Sequence, residues 1–136
     1  MQATAFLDRT MEEAMQLLTD AHDFLSVHEP VARRDITLPD RLDLSVEACR
    51  LTARLTHIVS WLMAERAVHE GEISWTEALE NQRPLSQVDV CIEGDRDVNP
   101  NFPPRFADLL RRSHNLFVRV ARLDDMARKA LKSGVS

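Results

Sequence analysis

Five histidines, two cysteines and 22 Asp+Glu are the side chains of this 136-residue sequence that could carry metal or acid–base chemistry. Metal sites on helices use spacings such as His-Glu-x-x-His, Cys-x-x-Cys or the Glu-x-x-His of carboxylate-bridged di-iron bundles, which set the donors on one side of a single ion. None of these occurs here. Glu65 and His69 stand four apart and could share a metal, but pairs of this spacing are common on solvated helix faces, and that is how they are read. Cys49 would need a neighbouring His to act as a nucleophile. Lying mid-helix on one side with Ala53 and Ala64, it reads instead as a small buried residue. Cys91 has no basic neighbour nearer than Arg96 to favour a thiolate. These residues point to no metal, no cofactor and no enzymatic activity.

The elements that hold them are helical. Three Gly and no Tyr suit few, long helices and disfavour strands and hairpins. The length suits a single domain over residues 1–136. Lys+Arg number 17 against 22 Asp+Glu, a net charge of −5, which argues against nucleic acid as a partner. Asp8 and Arg9 interrupt the first apolar patch, so no signal peptide is expected, and the longest apolar run, Ile58 to Ala64, is too short for a membrane span. Two cysteines are not a disulfide scaffold, and a cytoplasmic location fits them best.

Leu7, Met11, Ala14, Leu18, Ala21 and Leu25 step by fours and threes, predicting a first long helix over about residues 4–27. A connector holding Pro30 follows to Leu38, long enough for an antiparallel return. Leu44, Ala48, Leu51, Leu55, Ile58 and Leu62 predict a second long helix over about 40–70, with Gly71 as its C-terminal cap. Ser74-Trp-Thr-Glu77 has the form of a capping box and starts a short helix to about Glu80. Asn81 to Pro103 is the longest loop. It exceeds what bridging two helices needs, and its alternating Leu85, Val88, Val90 and Ile92 suggest a mobile recognition segment or a lid on the core. Pro104 opens the third long helix, with Phe106, Leu109, Leu110, Ser113, Phe117, Val120, Met126 and Ala127 facing inward. The expected fold is all-α: three long helices in an antiparallel bundle, one short helix after the second, and a long loop before the third.

The second helix carries a further stripe of small residues, Cys49, Ala53, Thr56, Ser60, Ala64 and Ala67. Either it meets the same helix of a second subunit or the helix packs between its two neighbours and needs both faces. Cys49, Ala53, Ser60 and Ala64 are the expected contact residues of a homodimer. Asp43, Glu47, Arg50, Arg54 and His57 read as a solvated stripe. Trp61 and Trp75 flank the Gly71 corner and are candidates both for partner recognition and for the core. Between Pro104 and Lys132 eight Lys+Arg meet three Asp+Glu, so the third helix is basic in an acidic chain. That leaves a DNA-associated regulator as the alternative reading, with Arg111, Arg112, Arg119 and Arg122 as its footprint.

Arg50-Leu-Thr-x-Arg54-Leu, Ser60-Trp-Leu and Arg66-Ala-Val-x-Glu-Gly-Glu-Ile73 resemble the signature of an alphaproteobacterial family typified by the regulator of CtrA degradation. The likeness is dense over about residues 41–80, and Arg83-x-Leu85-Ser86 extends it. The resemblance implies a dimeric three-helix bundle without enzymatic activity. Its implied role is that of an adaptor that helps deliver substrates to the ClpXP protease in cell-cycle-linked proteolysis, with a response-regulator-like partner. The family has no catalytic residues to carry over.

Overall fold

The computed structural model describes residues 2–81, 84–85 and 98–133. Helix α1 spans Gln2–Asp23 and buries Leu7, Ala14, Leu17 and Ala21. Its inner line is rotated from the expected one: Leu17 and Phe24 are central, while Met11, Leu18 and Leu25 lie at the margin of the core. Adjacent apolar pairs at 17/18 and 24/25 allow both registers, and packing selects one. The backbone then tightens and loosens without unwinding, through a π turn at Phe24–His28, an α turn at Glu29–Ala32 and a 3-10 turn at Arg33–Asp35. The aperiodic connector is therefore itself helical; Pro30 falls in the first turn of the α segment, where no N–H is required.

Helix α2 spans Leu38–His69. Thr37 caps it, its hydroxyl accepting from the Asp40 N–H, and Pro39 sits in the first turn, so the helix starts two residues before the expected Asp40. Gly71 ends the element with φ +77°. The Gly71 N–H donates to Val68 O at 3.0 Å and the Glu72 N–H to Ala67 O at 2.9 Å, the paired bonds of a Schellman cap. The short helix α3, Trp75–Glu80, is capped by Ser74, whose Oγ accepts from the Glu77 N–H at 3.1 Å. Helix α4 spans Pro104–Lys132.

The side chains fix how the long helices run. Arg66 near the end of α2 reaches Asp8 near the start of α1. Arg105, Arg112 and Arg119 of α4, spaced seven apart, pair in reverse order with Asp23, Asp20 and Glu13. Helix α1 is thus antiparallel to both partners. Between α2 and α4 the order is direct: Asn99 and Asn101 bond Asp40, Arg54 reaches Ser113, and Trp61 reaches Asp124. The expected antiparallel relation holds for α1 with each of the others, whereas α2 and α4 run side by side in the same direction.

This topology accounts for the length of the loop. Leu85 is held at the level of Trp61 and Asp124, while Asn99 and Asn101 are held at Asp40. Those levels are about 20 residues apart along α2, roughly 30 Å. A connection of that reach is a geometric requirement, so loop length alone is not a sign of recognition.

The core runs the length of the bundle. Leu44, Leu51, Leu55, Ile58 and Leu62 of α2 meet Phe106, Leu109, Leu110, Leu116, Phe117 and Val120 of α4, with α1 closing the third side. Phe24, Phe102 and Phe106 pack at one end, with ring centroids 5.2 Å apart in each neighbouring pair. On α4 the predicted Met126 is exposed, and Asp124 is buried in its stead. Hydrophobicity favours the methionine, but a step of six from Val120 leaves the inner face and a step of four stays on it.

Candidate interaction surface

Helix α2 has two uncharged faces. One is the core line already described. On the opposite side Leu38, Leu42, Val46 and Met63 are half to two-thirds exposed. Cys49, Ala53, Thr56, Ser60, Ala64 and Ala67 share this side by helical spacing. The hydroxyls along it turn back onto their own helix: Ser45 donates to Arg41 O, Thr52 to Ala48 O and Thr56 to Thr52 O, so they offer mostly carbon to a partner. Of the four expected contact residues, Cys49 and Ser60 are exposed and Ala53 and Ala64 are half-buried. The expectation that Cys49 is buried is corrected here: it lies on the outward side of α2.

The stripe expected to be solvated is corrected as well. Asp43 is exposed and Arg50 and His57 are half-buried, but Glu47 is 6% and Arg54 0% exposed. This line of α2 faces α4. The Arg54 guanidinium donates to Leu110 O at 3.4 Å and to Ser113 Oγ at 3.3 Å. Glu47 pairs through Oε1 with Arg50, and its buried Oε2 has no hydrogen-bond partner among the described residues.

Further along the same line lies a polar cluster that sequence reasoning missed. Trp61, 4% exposed, donates its indole N–H to Asp124 Oδ1 at 3.0 Å. Asp124, 1% exposed, also accepts from the Leu85 N–H at 3.1 Å and from Arg128 Nε at 3.0 Å and 3.1 Å. Arg128 continues to Leu79 O at 3.1 Å. Beside Asp124, Glu65 is 5% exposed, and burial together with the Asp124 charge pushes its carboxyl up to about 7. The available signal was spacing: Trp61 and Glu65 continue the helical line of Arg54.

The proposed recognition residues fall in different places. Trp61 and Leu85 are core members, Trp75 is half-buried with its ring edge-on to His69 at 6.1 Å, and Val88, Val90 and Ile92 lie outside the described residues. On α4, Arg105, Arg112 and Arg119 are engaged with α1, Arg128 with Asp124 and Lys129 with Asp125. Among the described residues no three His, Cys, Asp or Glu side chains form a group that could hold a metal, and no helix is long and apolar enough to cross a membrane.

A family model described as "Protein of unknown function (DUF1465)" matches residues 1–134. The chain belongs to the DUF1465 family. Among solved structures, this DUF1465 chain is similar to RcdA from Caulobacter crescentus CB15, with 30% sequence identity, 89% of each chain covered and a TM-score of 0.70. The resemblance carried by Arg50, Arg54, Trp61 and Arg66 thus extends over nearly the whole DUF1465 fold. No curated protein matches the chain.

Proposed function

We propose that this DUF1465 protein is a non-enzymatic cytoplasmic adaptor, acting as a homodimer that helps deliver substrate proteins to the ClpXP protease. A response-regulator-like protein is a further partner by analogy with the family. The observation that carries the reading is the outward face of α2. Leu42, Val46 and Met63 stand exposed on the side opposite the core. An uncharged helix face of this length is characteristic of a surface that another protein covers. Similarity to RcdA supports the proteolytic setting. The alternative, duplex DNA bound along α4, is disfavoured because Arg112 and Arg119, two of the four arginines of its footprint, already hold acids of α1, and the chain as a whole carries a net charge of −5.

Protein turnover in the native cell tests the reading. After translation is blocked, proteins whose lifetime depends on this chain should form a subset of those whose lifetime depends on ClpX, and affinity capture of the chain should bring down protease subunits. Unchanged lifetimes across the proteome in a deletion strain would sink the adaptor role.

A further inference from the structure

A cleft of about 360 Å³ opens where the end of α3 meets the last two turns of α4. Its floor is carbon: Leu79 is buried, and Pro84 and Leu131 are half-buried. Hydrogen bonds hold the walls. Arg128 donates from Nη1 to Leu79 O at 3.1 Å and from Nε to the buried Asp124, and the same carboxylate accepts the N–H of Leu85, next to Pro84, at 3.1 Å. A ligand therefore meets a formed site and does not have to order one.

The rim is cationic in an acidic chain. Lys129 and Lys132 stand three apart on α4, near enough in helical spacing to converge on one acceptor. Lys132 is exposed and has no ion pair among the described residues. Lys129 pairs with Asp125 at 3.0 Å, but with side chains 76% and 49% exposed that bond is solvated and readily exchanged. Arg128 is different, since it is committed to the buried carboxylate of Asp124.

These features define the ligand. Glu80 and Asp125 also line the cleft, so its three cations face two carboxylates and leave one positive charge in excess. A single negative charge is matched, whereas an acidic run meets Glu80 and Asp125 as like charges. The volume suits about two residues of extended chain, the low end for a ligand site. The last residue of a protein joins one carboxylate to one side chain through a single carbon, which is the combination that this rim and floor complement.

We propose that the cleft takes the C-terminal residue of a partner protein, with its apolar side chain on Leu79, Pro84 and Leu131 and its α-carboxylate between Lys129 and Lys132. The proposal deepens the adaptor reading and rests on it for the identity of the partners: the substrates are then proteins that end in a free apolar residue.

The test is fluorescence anisotropy of the full chain with a labelled Gly/Ser peptide that ends in leucine and a free carboxylate. Saturable binding is expected below about 1 mM, at least about tenfold tighter than for the C-terminal amide or for the same peptide ending in serine. An amidated peptide with internal glutamates should bind no better than the plain amide. Lys132→Glu should weaken the free-carboxylate peptide at least about tenfold and leave the amide unmoved, whereas Lys132→Arg should keep the parent's affinity. Because Lys132 is exposed at the end of α4, both variants should keep the parent's circular dichroism and melting temperature. No saturable binding of the free-carboxylate peptide, equal binding of its amide or of the serine or acidic peptide, or full affinity in Lys132→Glu would each overturn the assignment. Those results leave the adaptor reading standing, since it is read from protein lifetimes. Unchanged lifetimes beside intact peptide binding count against that reading and not against the cleft.

Discussion

The guanidinium of Arg54 lies 3.3 Å from Ser113 Oγ, and both side chains are fully buried between α2 and α4. A buried guanidinium depends on its hydrogen bonds being made, so truncation is costly and apolar replacement less so. Arg54→Ala should lower unfolding free energy by about 3–5 kcal/mol in urea titrations. Ser113→Ala should cost about 1–2 kcal/mol, and Arg54→Met, which refills the volume, should fall between the two. Equal costs for Arg54→Ala and Arg54→Met would mean that the bonds, and not packing, are what Arg54 supplies.

Arg54 also marks where sequence reasoning stops. The Leu44, Leu51, Leu55, Ile58 and Leu62 line, the Gly71 cap and the Ser74 box are legible because each is a local pattern. Glu47, Arg54, Glu65 and Asp124 are not, because a charged side chain at helical spacing looks the same whether water or a neighbouring helix stands outside it. What decides the matter is the direction of α4 relative to α2, a long-range property. The outward face of α2 was readable as a stripe of small residues. Its larger exposed members, Leu42, Val46 and Met63, were masked by their resemblance to core residues.

Glu65 makes stability depend on pH with a definite sign. Its folded-state value of about 7 lies above the ordinary 4.5, so the folded chain holds this proton more tightly than the unfolded one. Its favourable contribution is complete below about 4.5 and is lost as pH rises through about 7. Glu65→Gln should therefore match the parent near pH 4.5 and exceed it by up to about 3 kcal/mol near pH 8, measured by urea unfolding at each pH. A variant no more stable than the parent at the higher pH would show that the carboxylate is accommodated.

The ladder of Arg105, Arg112 and Arg119 against Asp23, Asp20 and Glu13 is largely solvated, with side chains 28–54% exposed. Screening and side-chain entropy keep such pairs weak. Each single Arg→Gln substitution should change stability by about 0–1 kcal/mol, and less in about 1 M salt. A loss near 3 kcal/mol at any rung would point to a role beyond pairing.

Gly71 has φ +77°, and an added Cβ would meet nothing within 4 Å. Only the backbone conformation opposes a side chain there. Gly71→Ala should cost about 1–2 kcal/mol in thermal unfolding, with Gly71→Asn milder because Asn tolerates the left-handed region. An alanine as stable as the parent would mean that the corner relaxes to negative φ.

The outward face of α2 makes the dimer testable apart from the fold. Val46 and Met63 are more than half exposed or nearly so, and Cys49 lies on the same side between them. A charge placed there touches no core residue of its own chain, so Val46→Arg and Met63→Arg should each keep the melting temperature of an isolated subunit. In a two-fold pair the same charge lies against its own copy or a carbon surface, which costs several kcal/mol of association. Light scattering should read twice the 15.5 kDa chain mass for the parent and a single chain for either variant. Because a dimer resists unfolding more at higher concentration, the parent should also melt later as it is concentrated and the variants should not. Ala53→Leu and Ala64→Leu probe closeness of approach: where helices meet over small residues, added bulk should weaken the pair by about 1–3 kcal/mol. Variants that all keep parental mass and the parental concentration dependence would place the dimer contact elsewhere and leave this face for another partner.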